Sequence, residues 1–163
     1  MKDFFYRHQP PMHVQSALLA GCGAAIALLA LGLLGIWTGG LWLMAPFGAS
    51  SVLLFAAPTA VLSQPANLVG GNVVAAVIAL VLVALWPGHV WLAATAAGLA
   101  IALMMLMRIV HPPAGATALV AYLTGAHWTF FFVPVLAGSL LLVAIAWGWH
   151  RAIGGVYPLK SPP

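Results

Sequence analysis

Between Arg7 and Arg108 the chain carries no Asp, Glu, Lys or Arg, and that interval is built of apolar runs broken by Gly, Pro and a few polar residues. A water-soluble domain normally has about 25% charged residues. Here 4% are charged and 64% are hydrophobic, so nothing could solvate the outside of a globule. The surface must face lipid, and the sequence reads as an integral membrane protein.

The six charged residues are Lys2, Asp3, Arg7, Arg108, Arg151 and Lys160. All but Arg108 lie in the tails, so the basic balance describes chain ends and not a groove or stripe that could track nucleic acid. Basic tails on such a chain are expected on the cytoplasmic side. The one acidic side chain, Asp3, excludes carboxylate-pair hydrolysis, acidic metal cages and carboxylate proton relays. Cys22 is alone and reads as a small packing residue. The basic start before Val14–Trp37 mimics a signal peptide. That apolar run is too long for one, and further runs follow.

Six apolar segments emerge, at 14–36, 41–57, 67–86, 91–110, 112–126 and 129–149. A crossing takes about 20 residues. The first, third, fourth and sixth segments are long enough, whereas the second and fifth are short and carry Pro and Gly near their starts. No link is long enough to separate domains, so 1–163 reads as a single membrane domain with polar tails at 1–13 and 150–163. Sliding the chain against itself by 67 residues lays Pro46-Phe47-Gly48-Ala49-Ser50 on Pro113-Ala114-Gly115-Ala116-Thr117. The same offset lays Gly71 on Gly138 and Asn72 on Ser139. Two tandem units of three segments follow, about 14–86 and 91–149. Six crossings would make them inverted repeats and place the Arg108 end with the basic tails; four crossings would make them parallel. The positive charge of Arg108 favours six.

The stretch from Arg108 to Thr117 carries the densest chemistry. Pro112 disfavours helix at His111, so segment four should end near Val110, and Pro113 suits the first turn of a new helix. The amides of Ala114, Gly115 and Ala116 would then point out of a positive helix end, with Thr117 adding a hydroxyl. Pro46 begins the same device, with Gly48, Ala49, Ser50 and Ser51. Paired Pro/Gly-broken segments point to a transporter binding site, and helix starts favour an anion. The alternative is that both are kinks made for packing.

Arg108 would attract an anion or snorkel to the interface. His111 would donate to an anion, carry a coupled proton, or bond a carbonyl freed at the helix break. Asn72 would reach the substrate or bond across helices. Gln64 and Asn67 read as caps of segment three. No histidine shows metal-ligand spacing, so neither a metal nor a cofactor is expected. Small-residue faces at Ala17, Gly21 and Ala25, and at Ala94, Gly98 and Ala102, allow close helix contact within a bundle or between protomers of a homo-oligomer.

At His111-Pro112-Pro113-Ala114-Gly115-Ala116-Thr117 the sequence resembles the HPP family of integral membrane proteins. Gly48-Ala49-Ser50-Ser51-Val52-Leu53-Leu54-Phe55 and Gln64-Pro65-x-Asn67-x-x-Gly70-Gly71 extend the resemblance over nearly the whole chain. It implies a small polytopic bundle, usually described with four membrane helices, and nitrite transport as in plastid and cyanobacterial relatives. Relatives often carry a basic residue in place of Ala66 and a histidine in place of Asn72. Some also have a soluble regulatory domain after the membrane part, for which the residues beyond segment six are too few.

The resulting expectation is an all-α, multi-pass protein of a bacterial inner membrane, both termini cytoplasmic, surrounded by lipid. It would carry a small monovalent anion, nitrite first, without catalytic residues, since no nucleophile–base pair can be assembled. The rivals are a non-transporting membrane scaffold or assembly subunit, and a channel for another small solute.

Overall fold

The computed structural model describes residues 3–160. Lys2, the Asp3 side chain and the last three residues of the C-terminal tail lie outside the described residues. Six α-helices and no strand occur among those described: α1 (Val14–Thr38), α2 (Ala45–Ala56), α3 (Pro65–Leu85), α4 (Val90–Leu106), α5 (Pro113–Leu123) and α6 (Ala137–Ala152). Short 3-10 turns stand at Asp3–Phe5 and Val61–Ser63, and a wide helical stretch, Phe131–Leu136, leads into α6 with non-helical backbone at Val133. Three spans are long and apolar enough to cross a membrane, Val14–Thr38, Pro65–Leu85 and Phe131–Ala152.

Proline sets the helix starts. Pro65 and Pro113 open α3 and α5, and Pro46 is the second residue of α2, positions where a missing amide proton costs nothing. All six expected segments are present. Segment four, however, ends at Leu106 and not near Val110.

The third helix of each expected three-segment unit packs on the first two helices of the other. α3 packs on α4 and α5, while α6 packs on α1 and α2; α2 against α5 and α3 against α6 join the two groups. Two equivalent glycines make this possible. A Cβ on Gly71 would stand 2.8 Å from His111 Cβ, just before α5, and one on Gly138 would stand 2.5 Å from the ring of Phe47, at the start of α2. Each third helix thus presses a bare backbone against the start of a short helix.

Met12 and Ser16 before and in α1 line one groove with Pro58, Ile153 and Gly155, which brings both tails to the α2–α3 link. Tyr157 Oη donates to the Ser63 carbonyl at 3.2 Å, and the Leu159 amide to Gln64 Oε1 at 2.8 Å. Burial pushes the Tyr157 phenol above the ordinary tyrosine range, so it stays a donor. α1 rises about 1.5 Å per residue, and beyond its far end Gly40 and Leu41 line a second groove with Thr124, Ala126 and His127.

The expected small-residue faces do not pack within the bundle. Ala17, Gly21, Ala25, Ala94, Gly98 and Ala102 are all exposed. Cys22 is exposed too, contrary to its expected packing role.

Candidate functional site

The interior of this apolar bundle holds a seam of uncharged polar side chains. Ser50, Asn72, His111, Thr117 and Ser139 are all fully buried. His111 lies in the link between α4 and α5, yet both its ring nitrogens are engaged. Nδ1 is 2.9 Å from the Leu62 carbonyl oxygen, and Nε2 is 2.8 Å from Ser50 Oγ. A carbonyl only accepts, so Nδ1 carries the proton and Nε2 of the neutral ring accepts the Ser50 hydroxyl. One imidazole therefore ties together α2, the α2–α3 link and the start of α5.

The second pair joins α3 to α5. Thr117 Oγ1 donates to Asn72 Oδ1 at 2.6 Å, while Asn72 Nδ2 donates to the Leu68 carbonyl at 3.0 Å. Asn72 thus bonds across helices, one of the two roles expected of it. On α6, Ser139 Oγ is buried without a partner. Its only sequence signal is the 67-residue offset that lays Asn72 on it.

Other expected positions lie elsewhere. Ser51 is buried, but its hydroxyl turns back to the Phe47 carbonyl at 2.9 Å. Ala49 is exposed; Gly48, Gly115 and Ala116 are half-buried. The expected open amides are partly occupied. Ala114 N donates to His111 O at 2.9 Å, Gly115 N to Pro112 O at 3.2 Å and Phe47 N to Met44 O at 2.9 Å. Both short helices begin with a tightened turn that satisfies these donors internally. Gln64 and Asn67 are not side-chain caps of α3. Gln64 Nε2 reaches the Pro58 and Ala60 carbonyls, and Asn67 Nδ2 reaches Val110 O at 2.9 Å.

The two motif glycines stand apart from the packing glycines. A Cβ on Gly48 or on Gly115 would meet nothing within 4 Å. Each lies two residues before a buried hydroxyl of the seam, Ser50 and Thr117 respectively.

Arg108 does not enter the seam. It is exposed beyond the end of α4, with φ at 61°. Its amide donates to Met105 O at 3.1 Å and the Ile109 amide to Met104 O at 2.9 Å, the paired bonds of a left-handed helix terminus. α5 ends with the same pair of bonds, and there the left-handed residue is Gly125. An arginine in this conformation costs about 1 kcal/mol that glycine would not. The early end of α4 is this lock, which closes before the proline effect at His111 can act.

A family model described as HPP, transmembrane region, matches residues 9–158. Two transmembrane proteins of Dictyostelium discoideum are similar. One is 40% identical over 114 residues, covering 65% of this chain and 37% of its own length. The other is 38% identical over 112 residues, covering 64% and 39%. The chain therefore spans less than two fifths of the length of these curated relatives. No solved structure matches it. The family match runs from the tail before α1 to the tail after α6 and includes the helix break at His111-Pro112-Pro113: the chain belongs to the HPP transmembrane-region family.

Proposed function

We propose that this membrane protein transports a small monovalent anion, with nitrite as the first candidate, and does so without catalysis, metal or cofactor. The carrying observation is the free space beside Gly48 and Gly115. Glycine inside a helix costs about 1 kcal/mol relative to alanine, and neither position needs a small residue for packing within this chain; Gly21, Gly98 and Gly148 are as open, but Gly48 and Gly115 alone stand two residues before a buried seam hydroxyl. A scaffold whose glycines serve packing alone gives no reason for them; a ligand approaching the backbone does. Ser139 Oγ is a buried hydroxyl free to donate to an anion, the Ser50 and Thr117 hydroxyls can do so once their bonds to His111 and Asn72 are exchanged, and the seam holds no carboxylate to repel one. Nitrite comes from the family resemblance.

Arg108 belongs to the same reading. A cation kept where glycine would be more stable is an outlier that suggests use, here the attraction of anions to its end of the bundle. The tail contacts at Ser63 and Gln64, and the groove that Gly40 shares with Thr124, favour a chain that changes end at every helix. That means six passes, two of them short, in two inverted units with exchanged third helices. Both tails would lie in the cytoplasm, and the membrane would be a bacterial inner membrane. Homo-oligomerisation through the exposed faces around Gly21 and Gly98 is tested by sizing in detergent.

The deciding experiment is uptake of nitrite into proteoliposomes by wild type, Gly115→Ala, Arg108→Gln and protein-free vesicles, with nitrate, formate and chloride as competitors. Protein-dependent uptake that falls in both folded variants supports the reading. No uptake of any of these anions by folded protein moves it to the scaffold. Uptake of neutral solutes that ignores Arg108 moves it to a channel for another solute.

A further inference from the structure

His111 fixes more than a packing contact. Its Nδ1–H is committed to the Leu62 carbonyl, so any added proton must go to Nε2, where the Ser50 hydroxyl now donates. Protonation reverses that bond: Nε2–H donates to Ser50 Oγ, and the Ser50 proton turns to another acceptor. The new imidazolium then stands fully buried, and a buried charge requires a partner.

Among the described residues no such partner faces it. The elements that hold His111 are α2, the Val61–Ser63 turn and α3, and none contains a titratable side chain. α4 contains none either, and beyond its end Arg108, itself a cation, is exposed. In α5 the hydroxyl of Tyr122 is bonded to the Trp86 carbonyl. Tyr157 sits on the Val61–Ser63 turn through Ser63 O, and on α6 the ring of His150 donates to Leu54 O. Arg151 follows it, exposed and stacked over Trp147. The single acidic side chain of the sequence is Asp3, in the N-terminal tail.

We propose that His111 is the proton-coupling group, and that its counter-ion is the transported anion itself, so that one proton and one monovalent anion cross together as an electroneutral pair. The inference rests on the transport reading above and adds its driving ion. His111 gains one proton at Nε2 on the loading side and returns it on release, with no covalent or redox change. The freed Ser50 hydroxyl becomes a donor when the anion is needed and is withdrawn when it is not.

The test uses proteoliposomes of the full chain and initial nitrite uptake rates, with the rate of protein-free vesicles subtracted to remove diffusion of the undissociated acid. A one-unit gradient, acid outside, supplies a tenfold driving force. It should raise wild-type uptake several-fold, and a valinomycin-clamped potential of either sign should leave the rate unchanged. His111→Gln keeps a donor for Leu62 O and an acceptor for Ser50 but cannot titrate. Its uptake should lose the gradient response while its thermal unfolding stays near wild type. Wild-type uptake that is electrogenic, or that ignores the pH gradient, overturns the coupling and leaves transport standing. So does a gradient response retained in folded His111→Gln. Absence of any wild-type flux from folded protein overturns both. Should His111→Gln fail to fold, Ser50→Ala replaces it: the coupling predicts a weakened gradient response, and an unchanged one overturns it.

Discussion

Arg108 illustrates how a single backbone angle can separate stability from use. Its left-handed conformation is the one that Gly125 adopts at the end of α5 without penalty. Arg108→Gly should therefore stabilise the protein by about 1 kcal/mol, read as a higher unfolding temperature in detergent, while nitrite uptake falls. Greater stability with full uptake would return Arg108 to the membrane interface. The glycines divide in the same manner. Gly71→Ala and Gly138→Ala push a methyl group into His111 and Phe47, and each should cost about 1–3 kcal/mol by overpacking. Gly48→Ala and Gly115→Ala meet open space and should be neutral or slightly stabilising. Thermal unfolding of the four variants separates packing glycines from those kept for another purpose. Equal losses at all four would favour the scaffold reading.

At the scale of elements, the short helices were legible because proline acts locally. Pro46 and Pro113 announce helix starts within a residue or so, whereas Pro65 opens α3 two residues before the expected start at 67, and the repeated Pro-x-Gly-Ala-Ser/Thr pairs α2 with α5. What escaped the sequence depends on partners far along the chain. Ser50 and His111 are 61 residues apart, and Asn67 finds Val110 at a separation of 43, so nothing near either residue announces the bond. Gln64 and Asn67 carry the residue types of a cap but were claimed by carbonyls from other turns. The end of α4 was misplaced because a left-handed terminus is normally signalled by glycine, and here it falls on arginine. The α3–α5 contact makes a separate prediction. Thr117→Val leaves Asn72 Oδ1 buried without its donor and should cost about 1–3 kcal/mol. Asn72→Leu combined with Thr117→Val should cost less than the sum of the single changes, because the pair is then apolar on both sides. A double-mutant cycle by thermal unfolding checks this, and strict additivity would remove the pair as a joint between the helices.

For the whole molecule the open matter is how six helices, two of them of 12 and 11 residues, meet a bilayer. Such helices are only about 17 Å long, against a hydrocarbon core of about 30 Å. Neither can cross without help from its flanking turns. The long helices supply that help: α3 packs along α5 and α6 along α2, so each short helix starts against a long apolar neighbour. Irregular backbone at membrane depth is tolerated when protein covers it, and His111 before α5 is fully covered. Six alternating passes then put the α4–α5 link on the side of both tails and the α3–α4 link on the other. Four passes with two re-entrant helices reverse this, because α4 then leads away from the tails. Single-cysteine variants His89→Cys and Arg108→Cys, made in a Cys22→Ser background, distinguish the two in sealed vesicles of known orientation. With six passes, a membrane-impermeant thiol reagent should label Arg108→Cys from the side carrying the tails and His89→Cys only from the other. Labelling of Arg108→Cys from the side opposite the tails would establish the four-pass arrangement. The units would then be parallel, and α2 and α5 would enter the membrane from the same face.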